Sequence, residues 1–113
     1  MENSSAMKAL FIIANAGFGD SVVDIARSCG AQGATIINAR GTANASMKKS
    51  LLGIGYDPEK EIIISLVTDD VANKIMEALP EKAGVNTPAN GLCFSMPVNH
   101  TTTINKLYLQ TEI

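Results

Sequence analysis

Tryptophan is absent from this 113-residue chain, and two tyrosines and three phenylalanines are its only aromatic residues. With so few rings, and none interleaved with basic residues, there is no stacking platform for single-stranded nucleic acid. A net charge of −2 supplies no broad attraction to nucleic acid or to an anionic membrane. The one adjacent basic pair, Lys48-Lys49, reads as a solvated loop face. A single histidine, His100, falls short of the three ligands a metal site requires, so only symmetry could gather enough copies of it. Two cysteines make no disulfide framework; Cys29 and Cys93 read as free, buried thiols. No apolar run approaches the roughly 20 residues that span a bilayer. Met1–Ser5 is polar and lacks the basic start of a signal peptide, so a cytoplasmic location is expected. The sequons at Asn3, Asn44 and Asn99 are then coincidental.

What remains is a compact apolar chain, 46% hydrophobic and 18% charged, long enough for one domain. It is built on a doubled pattern of strand, helix and strand. The first copy runs from the strand Ala9–Ile13 through a helix at Asp20–Cys29 to a strand at Thr35–Arg40. The second runs from Glu61–Val67 through a helix at Asp70–Leu79 to Leu92–Val98. In both helices apolar residues fall at i, i+3, i+4 and i+7: Val22, Ile25, Ala26 and Cys29, then Ala72, Ile75, Met76 and Leu79. Asp20 and Asp69-Asp70 are placed to cap the helix starts, Gly30 to end the first helix in a left-handed turn, and Pro80 to stop the second.

Leu10–Ile13 and Ile62–Val67 are almost continuously apolar, as central strands covered on both faces should be. Leu92, Phe94, Met96 and Val98 alternate with wetter residues, and Pro97 places that strand at an edge. These features predict an α+β fold, a ferredoxin-like βαββαβ sandwich with strand order 4-1-3-2 and two helices on one face. Residues 1–113 then form one domain, with a flexible start at 1–6 and a tail at 105–113. A long loop at 41–58 projects from the hairpin of strands two and three. Gly41–Pro58 far exceeds the usual connector of roughly 2–6 residues, which marks it as a working or disordered loop. Two helices leave one sheet face bare, and the strands carry apolar side chains toward it, so an oligomer is expected.

Catalytic groupings are thin, and no enzymatic activity is expected. Gly17-Phe18-Gly19-Asp20 follows a strand and opens a helix, but the third glycine and the distal acid of a dinucleotide fingerprint are missing. Cys93 and His100 could form a thiol–imidazole pair, yet no orienting group accompanies them, and a surface or interface role suits His100 better. Helix capping accounts for Asp69-Asp70 without invoking a paired carboxylate.

Three segments, in order, resemble the PII signal-transduction proteins and especially their divergent PII-like relatives. They are Gly30–Thr35 leading into Ile36–Gly41, then Pro58–Ile64, then Asn86–Gly91 before the last strand. The resemblance covers about Met7 to Ile104. It implies a homotrimer with nucleotide clefts between subunits, and a long loop that reports ATP, ADP or AMP as effector to a protein target such as a membrane transporter or metabolic enzyme. It requires no cofactor, and neither nucleic acid nor membrane insertion is involved. Carried over position by position, Thr35, Gly41 and Thr42 line one side of the cleft, and Asn86, Thr87, Asn90 and Gly91 the other. The apolar loop residues Leu51, Leu52 and Ile54 are candidates for partner contact; Tyr56, near the loop's base, reads as a packing or turn residue. The sequence departs from the family where phosphates are usually gripped: Thr42–Ala45, Ala89–Leu92 and His100–Asn105 lack the customary lysine and arginines. A metal-binding trimer of the copper-tolerance type, using His100, and a structural trimer without ligand are the alternatives.

Overall fold

The computed structural model describes residues 6–42 and 58–101. Their elements follow in the order β1 (Met7–Asn15), α1 (Gly19–Ser28), β2 (Thr35–Arg40), β3 (Glu59–Thr68), α2 (Asp69–Ala83) and β4 (Leu92–Pro97). The strands form one antiparallel sheet in the order β2-β3-β1-β4, the expected ferredoxin-like arrangement. β3 and β1, the most apolar segments, are central, and β4 is an edge.

Alternation along β1 and β3 sends Leu10, Ile12, Ala14, Ile63 and Val67 beneath the helices, where each is buried. They meet Val22 and Ala26 of α1 and Ala72, Ile75, Leu79 and Ala83 of α2. Ser65 is the buried polar residue of this face; its hydroxyl donates to the carbonyl of Gly33 at 2.6 Å, tying the α1–β2 connector to β3.

Three local expectations change. α2 runs one turn past Pro80, which lies inside it. Proline removes one amide donor, but Leu79 and Ala83 are both buried, so the extra turn extends the apolar stripe that holds the helix to the sheet. The acids are not the side-chain caps. Thr68 accepts from the amide of Val71 at 3.3 Å and caps α2, whereas Asp69 pairs with Lys8 at 3.7 Å. At α1 the acceptor comes from another strand: Glu61 Oε1 takes the amide of Gly19 at 2.7 Å. Finally, Cys29 and Cys93 are unpaired as expected but only half-buried.

The end of α1 follows the sequence closely. Gly30 has φ +117°, its amide donates to Arg27, and that of Ala31 donates to Ala26 at 3.0 Å. Together these bonds satisfy two carbonyls of the last turn, the Schellman arrangement that favours glycine.

Among the described residues no helix covers the second sheet face. Cross-strand partners share a face, so Phe11, Ile13, Ile62 and Ile64 lie there with Ile37, Leu92, Phe94 and Met96. The outer four are exposed to 43%, 57%, 41% and 48%. The rings of Phe11 and Phe94 stack with centroids 5.1 Å apart. This is a contiguous apolar patch, not scattered surface residues.

Candidate functional site

Antiparallel pairing brings the end of β1, the end of β2, the start of β3 and the start of β4 to one end of the sheet. Gly41 and Thr42 stand there after β2, and the turn at 84–91 stands there before β4. Six of the seven residues expected at a nucleotide site therefore share that end: Gly41, Thr42, Asn86, Thr87, Asn90 and Gly91. Thr35 does not join them. It opens β2 opposite Ile64, roughly 20 Å from Gly41 at 3.3 Å per residue, and faces the bare side of the sheet. Leu51, Leu52 and Ile54 lie outside the described residues.

The two sides of this end are set by different bonds. The amide of Gly41 donates to Pro58 O at 2.6 Å, closing the β2–β3 hairpin where the long segment departs. Across the sheet, the amide of Gly91 donates to Ala83 O at 2.8 Å and that of Asn90 to Thr87 O at 3.0 Å. Thr87 gives both its amide and its hydroxyl to Gly84 O, at 3.1 and 2.8 Å. Asn90 sits at φ +51°, a left-handed position that asparagine tolerates. Three amides of this turn thus donate to the chain's own carbonyls. The exposed side chains of Asn86 and Asn90, and any cation brought alongside, are the polar groups this turn offers beyond its backbone.

Such a cation is present where sequence reasoning did not look. Lys60 Nζ donates to Asn15 Oδ1 at 2.5 Å, and Asn15 Nδ2 donates to Pro88 O at 2.8 Å. Arg40 closes β2 at the same end. The available signal was modest: polar residues terminating apolar strands, whose juxtaposition depends on register.

An apolar cavity of about 280 Å³ lies between α2 and β4, lined by Ile12, Met76, Leu79, Leu92 and Cys93 among others. Burial there raises the Cys93 thiol from 9.0 to about 11, so it stays protonated at neutral pH. Cys93 is near the start of β4 and exposed His100 lies beyond its end, so the strand holds the two apart. Among the described residues no three histidine, cysteine, aspartate or glutamate side chains converge on a metal position. No helix among them is long and apolar enough to cross a membrane.

Residues 7–107 match the family described as nitrogen regulatory protein P-II. No curated protein matches the sequence. Among solved structures, one described as a PII-like signaling protein from Thermus thermophilus is 21% identical, with TM-score 0.63 over 81% of this chain and 85% of that one. CPII from Thiomonas intermedia, a nitrogen regulatory PII-like protein bound to ADP, AMP and bicarbonate, is 18% identical; its TM-score is 0.62 over 87% and 96%. B. subtilis GlnK in complex with ATP is 16% identical, with TM-score 0.64 over 88% and 90%. At these identities the structural likenesses establish the fold.

Proposed function

Because this chain belongs to the nitrogen regulatory protein P-II family, we propose that it is a cytoplasmic, non-enzymatic homotrimeric signalling protein with an adenine nucleotide as effector. The nucleotide would occupy clefts between subunits, and the 41–58 segment would carry that occupancy to a protein target, a membrane transporter or a metabolic enzyme. The bare apolar face supports this most directly. Phe11, Phe94, Met96, Ile37 and Leu92 form a patch whose burial against further copies removes it from water.

The position of Thr35 gives the trimer a second argument. It is too far along β2 to meet Gly41 and Asn90 of its own chain, so it joins a nucleotide site only when a neighbouring copy presents it. Lys60 and Arg40 supply positive charge at the same end, offsetting in part the missing lysine of the 89–92 stretch. Relatives by fold add support: B. subtilis GlnK has been solved with ATP and CPII with ADP and AMP. Ligand binding would shift a pre-existing balance of loop conformations, so saturating target must tighten nucleotide binding by the same factor that nucleotide tightens target binding.

Calorimetric titration with ATP, ADP and AMP tests the reading. Saturable heat at one nucleotide per chain, lost in the Phe94→Asp variant that separates the copies, is the expected result. Saturable heat that persists in a monomeric Phe94→Asp protein would remove the inter-subunit cleft, and no heat with any nucleotide would remove the effector.

A further inference from the structure

We propose that Asn15 is a positioning residue that joins the two halves of the candidate site, so that a displacement at the 84–91 turn is felt at the base of the long segment. Gly41 and Gly91 flank the outer strands, which are separated by three strand spacings, about 14 Å at 4.8 Å each. Among the described residues no hydrogen bond from either outer strand spans that gap. The connection runs through the ends of β1 and β3.

Asn15 is bonded on both sides by side chain and backbone. Its Oδ1 accepts from Lys60 at 2.5 Å, and its Nδ2 donates to Pro88 O at 2.8 Å. Its own amide donates to Ala89 O at 2.8 Å, while the next amide, of Ala16, donates to Glu59 O at 3.0 Å. Glu59 follows Pro58, whose carbonyl receives the amide of Gly41. Hydrogen bonds, joined by the peptide links Asn15–Ala16 and Pro58–Glu59, therefore lead from the turn, through Asn15, to the residues between which the long segment departs.

The residue type fits this duty narrowly. An ammonium only donates and a carbonyl only accepts, so the side chain between them must accept on one side and donate on the other. A carboxamide does so in one orientation, which also fixes its oxygen toward Lys60. Aspartate lacks the donor and leucine lacks both. The tolerances are small as well: moving Pro88 away by about half an ångström takes a 2.8 Å bond past the usual limit of about 3.2 Å.

The use of this link as a relay rests on the cleft reading, but the link itself can be tested without any ligand. Amide hydrogen exchange is followed at Gly41 and Gly91 in the unliganded protein and in Asn15→Ala, Lys60→Met and the double variant. Asn15→Ala is expected to speed exchange about tenfold at both amides, the effect of losing hydrogen bonds of ordinary strength. Lys60→Met, a change on β3, is expected to speed Gly91 in the native background and to leave it unchanged in Asn15→Ala. Should Asn15→Ala fail to fold, Asn15→Asp replaces it; it keeps an acceptor for Lys60 and drops the donor to Pro88, so Lys60→Met must again leave Gly91 unmoved. If Lys60→Met does not alter Gly91 exchange, or alters it equally with and without Asn15, the link is overturned. A nucleotide titration run in parallel reports on the cleft alone, so absence of binding there would reject the effector and leave the exchange result to decide on Asn15.

Discussion

Glu61 and Gly19 stand 42 positions apart in sequence, and the carboxylate of the first accepts the amide of the second at 2.7 Å. A strand thus caps a helix, supplying from outside what the local sequence does not. The arrangement also explains the glycine: a Cβ at position 19 would overlap the Glu61 carboxylate.

Two substitutions should therefore act through one contact. Glu61→Ala is expected to destabilise the fold by about 1–2 kcal/mol, the range of a lost helix cap. Gly19→Ala should cost a similar amount by displacing the carboxylate, and the double variant should be less destabilised than the sum. Urea unfolding at one fixed protein concentration measures all three. Full additivity would mean that the bond contributes nothing.

The core makes a plainer demand. Ile75 is fully buried between the sheet and α1, and Ile75→Ala should cost about 2–5 kcal/mol. Pro80→Ala, at an exposed site inside α2, restores a helical amide and should be neutral or stabilising by up to about 3 kcal/mol. Thermal unfolding at matched concentration checks both, and a clear loss of stability in Pro80→Ala would contradict the description of α2.

Strand order, edge strand and bare face were legible because they follow from alternation and proline placement, which a sequence displays directly. Gly30 was legible because its requirement is local. Glu61 as a cap and Asn15 as a bridge were not, since each acts only after register has set distant residues side by side. Pro80 misled for a related reason: the buried partner of the following turn, Ala83, belongs to tertiary packing, not to helix propensity. Of the candidate site, Gly41 and the 86–91 residues do share one end of the sheet. Thr35 stands apart, because it opens β2 opposite Ile64 and the length of the strand carries it away from Gly41.

Alkaline pH provides a test confined to one group. The Cys93 thiol rises from 9.0 to about 11 in the folded chain through burial. Between those values the unfolded chain loses a proton that the folded chain keeps, so folding stability from this residue falls as pH rises from about 9 to about 11. Comparing the native chain with Cys93→Ala across that window subtracts every other titration. The difference in stability should narrow steadily with pH; a constant difference would show that the thiol is not shielded.

The stacked pair Phe11 and Phe94 lies on the face assigned to subunit contact. Phe94→Asp would bury an uncompensated charge there, a penalty of about 3–5 kcal/mol that weakens assembly by more than about 100-fold. Dilution monitored by light scattering should show dissociation of the variant where the native protein stays associated. Equal behaviour of the two would place the contact elsewhere.

Sedimentation equilibrium of the unmodified protein in dilute buffer bears most directly on the whole account, because the proposed clefts require that copies meet. A mass three times the 11.9 kDa of the chain is the predicted result. A stable single chain at 11.9 kDa would contradict it, leaving the apolar face bare and Thr35 without a site to join.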